Sequence, residues 1–126
     1  MRVLVVDDDP SIRAMLEYAL YFEDFQVDCA PDGETALEML RTLRPDVILL
    51  DVMMPRIDGL EVARRIREDA ALEHIPVVML SAKTQDADIM AGWVAGAASY
   101  LTKPVDVDMM VAEISRLVSE RRLAMA

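Results

Sequence analysis

Five short apolar runs, each followed by a stretch of helical period, leave this chain few ways to fold. The runs occupy residues 2–6, 25–30, 46–50, 75–80 and 98–102. Ile12, Met15, Leu16, Ala19 and Leu20 make the first helical stripe, with Asp9 expected as its N-cap and Pro10 at the first helical position. Ala36, Leu37, Leu40 and Leu43 make the second, and Leu60, Ala63 and Ile66 the third. Met90, Trp93 and Val94 mark a fourth. Val107, Met110, Val111, Ile114, Leu117 and Val118 form the last, which is expected to end near Arg121. Strand and helix alternating in this way imply a parallel sheet covered by helices on both faces.

The runs also suggest their own order. Those at 2–6, 46–50 and 75–80 are almost wholly apolar, as central parallel strands are, whereas those at 25–30 and 98–102 admit Gln26, Asp28, Ser99 and Thr102. A flavodoxin-like, doubly wound α/β sheet of order 2-1-3-4-5 puts these two at the edges and is the expected fold. In that order the first and third strands are neighbours, and the switch point where ligands bind lies between their carboxyl ends.

The first run, "VLVVDDDP", ends there in three consecutive acids. Asp7 and Asp8 leave the first strand, and Asp51 leaves the third in "VILLDVMMP". Adjacent strands lie about 4.8 Å apart, so carboxylates at their ends can share a cation. Magnesium, which takes oxygens at about 2.1 Å and keeps waters and phosphate beside one or two carboxylates, suits that set. The fourth run ends in Ser81, a hydroxyl, and the fifth in "LTKP", which brings Lys103 to the same rim. A nucleophilic aspartate, a divalent ion and two donors for phosphoryl oxygens are the parts of phosphoryl transfer to a carboxylate.

With these residues in place the chain resembles a receiver domain of the two-component response-regulator family, from Arg2 to about Arg121. The motifs that carry the likeness are "VVDDD", "DVILLDVMMPRIDG", "PVVMLSA" and "GAASYLTKP". The resemblance implies that Asp51 accepts a phosphoryl group from a phosphohistidine on a histidine kinase or a histidine phosphotransfer protein. It implies magnesium held directly by Asp8, Asp51 and the Met53 backbone carbonyl, with Asp7 acting through water. Ser81 and Lys103 would grip the phosphoryl oxygens, and Tyr100 would be the ring whose rotamer follows phosphorylation. Pro104 would be the family's cis-proline, and Ala82 the small residue that leaves the acyl phosphate accessible. The protein would then be a phosphorylation switch in a bacterial phosphorelay and not an enzyme with turnover. Its output would pass to a downstream protein or to a C-terminal effector domain. Residues 1–122 would form the receiver and 123–126 a tail.

Composition limits the alternatives. A chain of 126 residues, 54% of them apolar, is sized for one domain with a real core. Its 23 acids against 13 bases give a net charge of −10, which opposes binding to nucleic acid or anionic lipid by this domain alone. No apolar run reaches the roughly 18 residues of a membrane span, and Arg2 leads directly into the first strand, so neither a span nor a signal peptide is expected. Cys29 is the only cysteine, which excludes an internal disulfide and fits a reducing cytoplasm. No glycine-rich nucleotide-binding pattern follows any strand. One enzymatic alternative is a phosphatase like the haloacid dehalogenases, with Asp7 as nucleophile and Asp9 as general acid; it leaves "LLDVMMP" unexplained. An unphosphorylated adaptor is another, although such chains normally lack an acid or the lysine.

Other residues carry plainer expectations. His74 and the Arg64, Arg65, Arg67 cluster read as solvated surface, Cys29 as a small core residue, and most of the ten methionines as core filler. Tyr100 is either a switch or edge-strand packing, and Trp93 either core or a partner-facing residue. Compared with receivers that dimerise through salt bridges, the corresponding positions hold Ile89, Val94, Ser99, Met109 and Glu113. A charge-paired homodimer is therefore not expected.

Overall fold

The computed structural model describes residues 1–82, 91–93 and 95–125. Five parallel strands form one sheet: β1 (Arg2–Val6), β2 (Gln26–Ala30), β3 (Val47–Asp51), β4 (Val77–Ser81) and β5 (Ser99–Thr102). The order is β2-β1-β3-β4-β5, as the edge-strand composition implied. Four helices are complete among the described residues: α1 (Pro10–Phe22), α2 (Gly33–Met39), α3 (Gly59–Glu68) and α4 (Val107–Met125). Residues 91–93 are also helical, within the fourth stripe, while Met90 and Val94 lie outside the described residues, as do Lys83 and Ile89.

Strand alternation divides the core in two. Leu4, Val6, Ile48, Leu50, Val77 and Met79 face one way and pack with Ala36, Val62, Ala63 and Ile66 of α2 and α3. Val3, Val5, Val47, Leu49, Val78 and Leu80 face the other way and meet Leu16 and Leu20 of α1 and Met110, Ile114, Leu117 and Val118 of α4. Both faces of β3 and β4 are buried, which is why their sequences read as unbroken apolar runs.

Four strands start later than the apolar runs suggested, β2, β3 and β5 by one residue and β4 by two. The Phe25 amide bonds the Leu20 carbonyl, closing α1 through Asp24 at φ 65°, so the ladder begins at Gln26. Ile75 is likewise spent on a turn, donating to Leu72, and Pro76 has no amide to give. The last helix runs past Arg121 to Met125.

Several packing expectations need correction. Met15 is exposed: the buried line of α1 is Leu16 and Leu20, and Met15 sits 100° away around the helix. Met54, Met79 and Met110 are buried, but Met1, Met53 and Met109 join Met15 in solvent, so methionine is not simply core filler here. Cys29 is half-buried at the margin of the α1 and α4 layer, and its thiol donates to Glu17 Oε2 at 3.1 Å. Burial, then the Glu17 carboxylate, pushes that thiol up to about 12, which leaves it unreactive. Arg64 and Arg65 pair with Glu61 and Glu68 as a solvated face should. Arg67 does not join them: it donates to the Glu73 carbonyl at 2.9 Å and to the Gly96 carbonyl. His74 is exposed beside Glu73. Trp93 is 47% exposed, a surface residue and not a core one.

Candidate functional site

The ends of β1, β3, β4 and β5 meet at one rim, and the chemistry the sequence placed there converges. Asp7 follows β1 and is wholly buried; Asp51 is the last residue of β3 and is 3% exposed. Asp8 lies beside them in solvent, and one carboxylate oxygen from each of the three lies within 4.8 Å of the others. Lys103, just beyond β5, reaches between the buried pair, with its Nζ 2.9 Å from Asp7 Oδ2 and 3.2 Å from Asp51 Oδ1. Ser81 is buried at the end of β4, and its carbonyl accepts the Lys103 amide at 2.8 Å, tying the two strand ends together. The Lys103–Pro104 peptide bond is cis, as the resemblance implied.

Two buried carboxylates beside one ammonium hold strained charge. Burial, followed by repulsion from Asp7, raises the Asp51 carboxyl to about 6, against the pull of Lys103. For Lys103, burial acts to lower the ammonium, but the Asp7 hydrogen bond and the Asp51 and Asp7 charges outweigh it and the net shift is upward. At neutral pH this is a carboxylate held beside a cation.

The flanking turns aim the acids. Asp7 Oδ1 accepts the Asp9 amide at 2.9 Å, and Asp9 itself accepts from the Ser11 and Ile12 amides, capping α1. Asp9 is thus engaged as the helix cap that the sequence suggested. The exposed Met53 donates its amide to Asp51 Oδ1 at 3.3 Å. Tyr100 lies half-buried on β5 against the α2 and α3 layer, its ring next to Gly92. Ala82 is exposed at the mouth.

Three supporting residues were not singled out from the sequence. Arg13 donates to the Asp7 carbonyl at 2.7 Å. Arg56, at φ 65°, ties the loop after β3 to the start of α2 through Glu34 and Asp32, both at 2.8 Å. Gly59 opens α3 directly against β3: a β-carbon there would overlap the Asp51 carbonyl oxygen. The only sequence signal for it is "DG" after an apolar strand and loop, with Asp58 as the cap of α3.

The switch point of this doubly wound sheet thus gathers three carboxylates, a hydroxyl and a lysine into one acidic pocket. The profile of the response regulator receiver domain matches residues 3–115, and the chain belongs to that family. It is 42% identical over 123 residues to the response regulator MprA of Mycobacterium ulcerans, covering 98% of this chain and 52% of that protein. It is 46% identical over 112 residues to the transcriptional regulatory protein CseB of Streptomyces coelicolor, covering 89% and 47%. The chain spans about half the length of the curated relatives it matches. The structure of the Vibrio cholerae chemotaxis protein CheY4 superposes with a TM-score of 0.87 at 33% identity, covering 92% of this chain and 97% of that one.

Proposed function

We propose that Asp51 is the phosphoacceptor and that phosphorylation there switches a signalling surface. The observation that carries this reading is the buried Asp51 carboxylate beside Asp7 and under the Lys103 ammonium. A phosphohistidine on a histidine kinase or phosphotransfer protein is the donor. An Asp51 oxygen attacks phosphorus; the new O–P bond forms as the N–P bond breaks, and the electron pair leaves on the imidazole nitrogen. Lys103 exchanges its Asp51 contact for a phosphoryl oxygen while keeping Asp7, and the Ser81 hydroxyl holds another. Tyr100 carries the change outward along β5.

The donor set fits magnesium. It is all oxygen, with carboxylates close enough to share one ion and no thiol or imidazole among them. Asp8, Asp51 and the Met53 carbonyl would hold the ion, with Asp7 one water away. When bound, magnesium supplies positive charge against the carboxylates and the incoming phosphoryl oxygens. Asp7 keeps the Lys103 ammonium in place through the bond already formed at 2.9 Å.

The domain is a switch and not an enzyme. It acts in the cytoplasm through a downstream protein or an effector domain, without binding nucleic acid or membrane itself. No helix of the described residues is long and apolar enough to cross a membrane. A charge-paired homodimer is disfavoured because several of the charges on α4 are paired within that helix. Arg116 pairs with Glu113 and Glu120 on its own helix, and Ser99 also bonds Glu113.

The test is transfer from phosphoramidate, whose P–N bond mimics phosphohistidine. The wild-type chain should gain one phosphoryl group only with magnesium present, and Lys103→Ala should slow the gain by about a hundredfold. Equal labelling with and without magnesium would contradict the proposal.

A further inference from the structure

The C-terminal half of α1 carries aromatic side chains that neither the core nor the carboxylate pocket uses. Tyr18, Tyr21 and Phe22 are 67%, 73% and 65% exposed. Their rings meet edge to face, Tyr18 on Phe22 at 4.7 Å and Tyr21 on Phe22 at 6.4 Å between centroids. Between α1 and the edge strand β2 the surface opens into a cleft of about 450 Å³, lined by Glu17, Tyr18, Tyr21, Phe25 and Val27 among others. Contiguous apolar surface of this kind marks a contact site on an otherwise polar domain.

The surrounding charge says what fits. Glu17 lines the cleft, Glu23 and Asp24 follow the last turn of α1 in solvent, and Asp28 lies on β2. Arg2 reaches Asp28 at 3.3 Å, and the chain as a whole carries −10. Tyrosine rings next to a carboxylate are a setting for a lysine or arginine head, with its stem on apolar surface. A second copy would set these acids against their own images, and an anionic lipid surface meets the same repulsion.

We propose that the cleft between α1 and β2 receives a cationic amphipathic segment of a partner protein, its basic side chain lying on Tyr18 and Tyr21 beside Glu17. The site is independent of the carboxylate pocket. Pro10 begins α1 at the pocket, and Tyr21 stands about 17 Å further along at 1.5 Å per residue. Occupying one end leaves the other free.

The full chain should be titrated by calorimetry and amide NMR with a synthetic helical peptide bearing leucine on one face and arginine on the other. Binding should shift the amides of residues 17–28 and weaken as salt rises. Tyr18→Ser with Tyr21→Ser should weaken it by about tenfold or more, and Glu17→Gln by several-fold. Both variants should keep the wild-type circular dichroism and phosphoryl labelling. The proposal is overturned if the wild type does not bind the peptide, if the glutamate counterpart binds equally well, or if the tyrosine variant binds unchanged. A concentration-dependent dimer that the tyrosine variant abolishes would also overturn it, because the occupant is then a second copy.

Discussion

Asp51 is ionised at a cost, and that cost has a measurable sign. The folded chain holds the Asp51 proton up to about 6, whereas the unfolded carboxyl releases it near 3.8. Ionisation between those values therefore works against folding, so this group's contribution to stability falls as pH rises through the window. Asp51→Asn removes the dependence. Thermal melts of both proteins in chelator, from about pH 4 to pH 7, should diverge as pH rises, with the asparagine variant gaining on the wild type; parallel curves would contradict the assignment. Gly59 makes a second residue-scale claim. Gly59→Ala drives a methyl into the Asp51 carbonyl and should cost about 3 kcal/mol in denaturant unfolding, at the upper end of overpacking penalties; a loss within about 0.5 kcal/mol would show that the backbone yields freely. The two residues also show what a sequence reveals. Asp7, Asp51, Ser81 and Lys103 were legible because each is a polar residue stopping an apolar run, and strand order does the rest. Gly59 and Arg56 were not, since their roles depend on how closely a helix start approaches a strand end, a distance no periodicity encodes.

Helix α1 links the pocket to the rest of the fold, and its cap separates rival chemistries. Asp9 accepts the Ser11 amide at 2.8 Å and the Ile12 amide at 3.4 Å. Asp9→Ala should cost about 1 kcal/mol of stability yet leave phosphorylation by acetyl phosphate near the wild-type rate. A collapse of phosphoryl chemistry with unchanged stability would instead make Asp9 an acid of a phosphatase-like site. The cap was readable because Asp before Pro states both the cap and the first turn. The strands were readable in type and order, but their starts were not: Phe25 and Ile75 look like strand residues and spend their amides on turns. Methionine and arginine misled most. Met15 and Met53 face solvent, and Arg67 crosses to the Gly96 carbonyl, because long flexible side chains are placed by neighbours distant in sequence.

On the scale of the whole molecule, a cation held by the three crowded carboxylates would couple its binding to folding. Magnesium at tenfold excess over its Kd should stabilise the chain by about 1.4 kcal/mol, raising the melting temperature by a few degrees. Asp8→Ala should abolish that response, and calorimetric melts with magnesium or chelator check it. The metal matters here because, in the proposed function, phosphoryl transfer to Asp51 is what turns a stable fold into a switch. That central claim is tested most directly by treating the chain with acetyl phosphate and magnesium, then mapping the modified residue by mass spectrometry. The account predicts one acid-stable, base-labile phosphoryl group on Asp51, absent from Asp51→Asn. A label on Asp7, or one that persists in Asp51→Asn, would contradict it.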